Sequence, residues 1–234
     1  MLLLALDTCD ARGSIALVRG EDVLGEIVHA SAEDYSSWLL PAVEALLLKN
    51  NISHSDLAGY AVASGPGSFT GVRVGLTTVK AWHEIYGKPI LPMSRLQVLS
   101  DAAPQGADFA ATFIDAQRSQ VFGALYRKSA EGWQNVIQES VISPLDFFGS
   151  CLSAAGDLRL AWTSLDPKIL TDSSFWHSIR PNAREMVHVR APLAGSIGKL
   201  ALRHSSLQVD ALSLDANYVR RSDAEIFGKK VASQ

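Results

Sequence analysis

Two segments constrain the fold of this chain more than any others. Leu2-Leu3-Leu4-Ala5-Leu6 is an unbroken apolar run that stops at Asp7, and Phe109-Ala110-Ala111-Thr112-Phe113-Ile114 is a largely apolar run that stops at Asp115. A short apolar run without polar alternation suits a strand covered on both faces, because neither face meets water. Each run is followed by a polar turn and a meander: strand patterns at 14–18 and 23–28 after the first, at 120–126 and 132–142 after the second. Arg19-Gly20-Glu21-Asp22 closes the first meander as a tight hairpin turn. Two halves that each open on a strand, an acid and a meander predict an α/β chain of two similar lobes, related by pattern and not by residue identity.

Further along the first half, residues 35–50 read as a helix, 58–63 as a strand, 71–86 as a helix and 89–92 as a short strand. Ser94 suits the N-cap of a helix running to 102 or 103. The first half is therefore β-β-β-α-β-α-β-α. Pro104-Gln105-Gly106 marks the boundary, giving lobes 1–103 and 104–234. The second half carries helical patterns near 144–152 and 192–205, the last expected to pack back on the first lobe.

With 47% hydrophobic and 19% charged residues among 234, the chain can bury a substantial core. A net charge of −3 argues against an autonomous nucleic-acid binder, which needs a basic face. Cys9 and Cys151 belong to no C-x-x-C pair and read as buried reduced thiols. The N-terminal apolar run meets Asp7 too early for a signal peptide, and no apolar run approaches the ~20 residues of a membrane span. The expected compartment is the cytoplasm.

The run Ser64-Gly65-Pro66-Gly67-Ser68-Phe69-Thr70-Gly71-Val72-Arg73 sits between a strand and a helix, a layout that can aim backbone N–H groups at an anion. It lacks the Gly-Lys-Ser/Thr ending of a P-loop, since Val72 and Arg73 follow Gly71. It also lacks the acid that a dinucleotide fingerprint places at the end of the next strand. The alternative is a packing turn: Gly65 and Gly67 bracket Pro66, Ser68 or Thr70 caps the helix, and Gly71 and Gly75 share one helix face. The 35–50 and 71–86 helices carry more apolar surface than one lobe needs, which points to a protein–protein interface. The six histidines are scattered with no pair four apart, so no helical metal chelate forms, and the strings H-E-x-x-H and G-x-S-x-G are absent. Asp7 and Asp115 each end a strand and could hold a metal–nucleotide as paired carboxylates, or simply cap their turns.

Five strings occur in order: Leu4-Ala5-Leu6-Asp7-Thr8, the Leu39-Leu40-Pro41 helix, the Gly-Pro-Gly run to Arg73, Ile114-Asp115-Ala116-Gln117-Arg118, and Ala216-Asn217-Tyr218-Val219-Arg220-Arg221. Together they resemble the TsaB (YeaZ) family. The resemblance implies an actin/Hsp70-like (ASKHA) fold of two β-β-β-α-β-α lobes around a cleft. It implies a non-catalytic subunit that dimerises with a catalytic TsaD-like relative and enables it to form N6-threonylcarbamoyladenosine at position 37 of tRNAs reading ANN codons. A TsaE-like ATPase joins such complexes, tRNA is met only through them, and the chain alone is expected to form a homodimer.

Family contacts through the first two helices map onto Ser36, Leu39, Leu40, Val43 and Leu47, and onto Val72, Gly75, Leu76 and Val79. Weak ATP or ADP binding with magnesium would fall on Asp7, Thr8, Gly65, Gly67, Ser68 and Asp115. Catalytic and metal-binding residues are expected to be absent, and an older peptidase label on the superfamily finds no residues to support it. Tyr35-Ser36-Ser37 departs from the His-Ser of many relatives. The competing reading is an independent nucleotide-dependent phosphotransferase or ATPase. The terminal basic residues Arg220, Arg221, Lys229 and Lys230 read as a solvated end.

Overall fold

The structure is a computed structural model and describes residues 1–29, 34–204, 206, 209–212 and 214–215. The 216–221 string and the terminal basic residues lie outside the described residues. The chain divides into two compact units.

The first unit holds Met1–Val98 and the segment returning from Arg190. Its strands are β1 (Leu2–Asp7), β2 (Ser14–Arg19), β3 (Asp22–Val28), and, separated by helix α1 (Tyr35–Lys49), β4 (Gly59–Gly65). Helix α2 (Phe69–Tyr86), strand β5 (Ile90–Ser94) and helix α3 (Arg95–Ser100) follow. The sheet runs β3-β2-β1-β4-β5. The meander pairs are antiparallel and the pairs reached through a helix, β1–β4 and β4–β5, are parallel, as a helical crossover requires. β1 is buried at all six positions, and so is β4 at all seven, which explains their continuous apolar sequence.

The second unit repeats the plan. It contains β6 (Phe109–Asp115), β7 (Val121–Ser129), β8 (Gly132–Ile142), α4 (Pro144–Ala155), β9 (Leu160–Ser164), two short helices α5 (Lys168–Thr171) and α6 (Ser174–Ser178), and β10 (Glu185–His188). Its sheet order, β10-β9-β6-β7-β8, mirrors the first in connectivity: a central first strand, two meander strands on one side and two parallel strands on the other. This doubled arrangement is the two-lobed α/β plan expected from the sequence. The core gathers Phe113, Phe147, Phe148 and Trp162. Gly123 of β7 is required there, because a Cβ would lie 2.7 Å from the Phe147 ring.

Helix α7 (Ala194–Arg203) packs on the first sheet, on the face opposite α1 and α2. Alternate strand residues point to opposite faces. Leu6 is in register with Val62, and a Cβ on Gly75 of α2 would lie 3.5 Å from Val62. Ala5 and Val18 point the other way, where a Cβ on Gly198 of α7 would lie 3.2 Å from Ala5 and 2.6 Å from Val18. Two backbone N–H groups at the start of α7 are satisfied from the sheet: Ala194 donates to Ser14 Oγ at 3.1 Å and Gly195 to Glu26 Oε1 at 3.0 Å.

Several element bounds differ from the sequence expectation. α2 begins at Phe69, two residues early, because Ser68 is the N-cap and accepts from Gly71 N–H. α3 ends at Ser100. β9, β10, α5 and α6 had no sequence counterpart: Leu160–Ser164 is only five residues, too short for periodicity to distinguish it.

Candidate functional site

The glycine run is packed against the β1–β2 turn, residues 8–13. Cys9 O accepts the Ser68 N–H at 2.6 Å, and Thr8 Oγ1 donates to Gly71 O at 2.6 Å. A Cβ on Gly67 would lie 2.3 Å from Cys9 O, one on Gly71 2.1 Å from Thr8 O, and one on Gly75 2.6 Å from Thr8 Oγ1. Those distances are far inside van der Waals contact, so the three glycines exist to let the turn lie directly on the loop and on the first turns of α2. Gly65 has φ 117°, a region that favours glycine.

The turn itself is held by charge. Asp7 is fully buried; its Oδ1 accepts the Cys9 N–H at 3.0 Å and its Oδ2 lies 3.2 Å from Arg95 Nε. The Arg95 guanidinium, also fully buried, reaches Asp10 Oδ2 with Nη2 at 2.8 Å and Pro66 O with Nη1 at 3.3 Å. Asp10 is gripped a second time by Arg12, whose Nη2 is 2.6 Å away and whose backbone N–H donates to Oδ1 at 2.8 Å. Burial alone would raise the Asp10 carboxyl, but Arg95 and Arg12 outweigh it and hold it far below the usual carboxylate range. Burial disfavours the Arg95 charge, and Asp7 and Asp10 more than restore it. Cys9 sits beneath the turn, its thiol raised well above the usual range by burial first and Asp7 second.

These contacts correct the nucleotide assignment in the first unit. Asp7 and Thr8 are enclosed at 0% and 1% exposure, and the space a phosphate would take beside Gly67 is filled by Cys9. Gly65 is buried, and the Ser68 hydroxyl caps α2. The residues present do not fit a metal–nucleotide. In the second unit, Asp115 is partly exposed and organises its own turn, accepting the Gln117 N–H at 2.7 Å and Gln117 Nε2 at 3.0 Å. Gln117, Arg118 and Ser119 all have φ between 55° and 60°, an uncommon left-handed run for residues with side chains.

The second feature lies on the outer side of α1 and α2. Of the residues expected at an interface, Leu39, Val43, Leu47, Val72, Gly75, Leu76 and Val79 are buried within their own unit. They pack within the unit, and Val43 and Leu47 also line the floor of the groove described below. Ser36 and Leu40 are exposed, as are Leu48 and Ile85 at 69% each. Between the helices a groove of about 440 Å³ is lined by Leu40, Glu44, Leu48, Ile52, His54 and Tyr86, among others. His54 stacks flat on Tyr86 with 4.6 Å between ring centroids, and its Nδ1 is 3.0 Å from Tyr60 Oη. Burial lowers the His54 pKa below the usual histidine value, so the neutral ring is favoured beside this apolar surface.

Sequence reasoning did not find Arg95, Asp10, Tyr35 or His54. A signal for Arg95 existed: it lies three and four residues before Val98 and Leu99, on the stripe the helix buries. A cation on a buried stripe demands buried acids, and Asp7 and Asp10 were the available pair.

The chain matches the family model described as TsaD, tRNA N6-adenosine threonylcarbamoyltransferase, over residues 22–164. It is 33% identical over 142 residues to the "tRNA threonylcarbamoyladenosine biosynthesis protein TsaB" of Bacillus subtilis, covering 61% of this chain and 60% of that protein. It is 29% identical over 147 residues to the protein of the same description from Escherichia coli, covering 62% and 63%. The chain thus spans under two thirds of the length of these curated relatives. A solved structure described as an uncharacterized protein with similarity to peptidase YEAZ from Pseudomonas aeruginosa shares the fold, with a TM-score of 0.73, 24% identity, and coverage of 94% of this chain and 99% of that one.

Proposed function

This chain belongs to the TsaD family, and within it to the TsaB (YeaZ) group, and on that premise we propose that it is a non-catalytic subunit of the threonylcarbamoyladenosine-forming machinery. In this reading it pairs with a TsaD-type catalytic subunit through the exposed sides of α1 and α2. A TsaE-type ATPase joins the pair, and tRNA is met through the assembly. The carrying observation is the apolar groove between these helices, bordered by Leu40 and Leu48 at 55% and 69% exposure. Large apolar side chains at such exposure along one helix beside an apolar groove are costly unless a partner covers them. The filled glycine loop supports a scaffold over an independent phosphotransferase.

The test is co-purification with a TsaD-type subunit from the same cell, followed by a threonylcarbamoylation assay. Replacing both Leu40 and Leu48 with Glu should abolish association and the stimulation of activity, with the circular dichroism spectrum and melting temperature unchanged. Retained association would remove the groove from the interface. Val43 and Val79 are unsuitable probes, because at 2% and 0% exposure they report on folding.

A further inference from the structure

The carboxylates at the end of β1 carry their own cation. We infer that Arg95 is a resident counter-ion that takes the place of any bound metal between Asp7 and Asp10, and that through the turn it grips it sets the positions of both groove helices.

The geometry carries this in two steps. First, the guanidinium is fully buried and spans Asp7 Oδ2 at 3.2 Å and Asp10 Oδ2 at 2.8 Å, while Nη1 reaches Pro66 O at 3.3 Å. A planar fork suits such multi-point recognition, and with Arg12 also on Asp10 two cations balance the two acids and leave no net demand for a further one. Second, the turn so held is the common footing of α1 and α2. Tyr35, in the first turn of α1, donates its hydroxyl to Asp10 O, and a Cβ on Gly13 would lie 2.0 Å from that hydroxyl. Thr8 and Cys9 meet Gly71 and Ser68 at the start of α2. Removing the cation leaves the buried Asp7 carboxylate uncompensated and Asp10 held by Arg12 alone, which loosens the turn and with it both helix starts. Arg95 acts as a positioning residue and does not line the groove.

The effect on partner binding rests on the reading above; the effect on the helices does not. The experiment is hydrogen–deuterium exchange on the full chain carrying Arg95→Ala. Amides in the first two turns of α1 and α2 should exchange at least about tenfold faster, while those of β6, β7 and β9 change less than about twofold. Guanidinium chloride at about 20 mM should restore protection by filling the vacated fork, and sodium chloride at equal concentration should not. Arg95→Lys, which keeps the charge but not the fork, should fall between the two and supplies the measurement if Arg95→Ala does not fold. Uniform acceleration in both units, unchanged exchange at the helix starts, or equal restoration by sodium chloride would each overturn the proposal. In a separate arm, Arg95→Ala should weaken association with the TsaD-type subunit about tenfold, with recovery in guanidinium. If the unaltered chain fails to associate, the partner reading falls and the exchange result still decides this one.

Discussion

Gly71 and Gly149 make a matched pair in which opposing effects can be separated. Both lie in helices, where exchange of Gly for Ala normally stabilises by about 1 kcal/mol. At Gly149 of α4 an added Cβ meets nothing within 4 Å, so Gly149→Ala should stabilise by about that amount. At Gly71 the Cβ would lie 2.1 Å from Thr8 O, and Gly71→Ala should destabilise by about 1–3 kcal/mol, the cost of overpacking exceeding the propensity gain. Urea denaturation of the two variants checks both signs. Asp10 yields a pH prediction. Its carboxyl is depressed in the folded chain, so its contribution is present at neutral pH and is lost as pH falls below about 4, through the unfolded value and on toward the folded one. Asp10→Asn should remove this part of the acid sensitivity, read as a shallower fall of melting temperature between about pH 5 and pH 3. The glycine string was conspicuous in the sequence, but its role was not, because composition cannot show whether space beside a glycine is kept for a ligand or filled by the chain.

Among the elements, α7 depends on strands distant in sequence. Its first N–H groups are satisfied by Ser14 of β2 and Glu26 of β3. Burial raises the Glu26 carboxyl, with the Gly195 N–H opposing, so the carboxylate loses stability as pH rises through its folded value. Glu26→Gln keeps an acceptor without the charge and should raise the melting temperature at pH 8 relative to pH 5; an unchanged pH profile in calorimetry would contradict this. The long elements were legible, β1, α1, β4 and α2 above all, because their apolar runs or stripes match their burial. The short ones after Ala155 were not. β10 has four residues, with both ends exposed, and presents no pattern. The over-apolar helices were legible, but sequence alone did not separate their buried positions, such as Val43 and Val79, from exposed ones such as Leu40 and Leu48.

At the scale of the whole molecule, a net charge of −3 provides little general attraction for RNA. The isolated chain is expected to show no saturable tRNA binding below about 10 μM at physiological salt, measured by fluorescence anisotropy; tight binding would overturn the view that tRNA is met through the assembly. The doubled topology was legible as two openings on strand, acid and meander. So was the return of the last helix: the first unit is completed only by the segment returning from Arg190. That has a consequence for synthesis on the ribosome. The Ala5 and Val18 side of the first sheet, later covered at Gly198, emerges far ahead of α7. At about 5–20 residues per second the nascent sheet waits several seconds with one apolar side bare. During that interval the growing chain is a natural client for chaperones, and a translational pause after the second unit would lengthen its exposure.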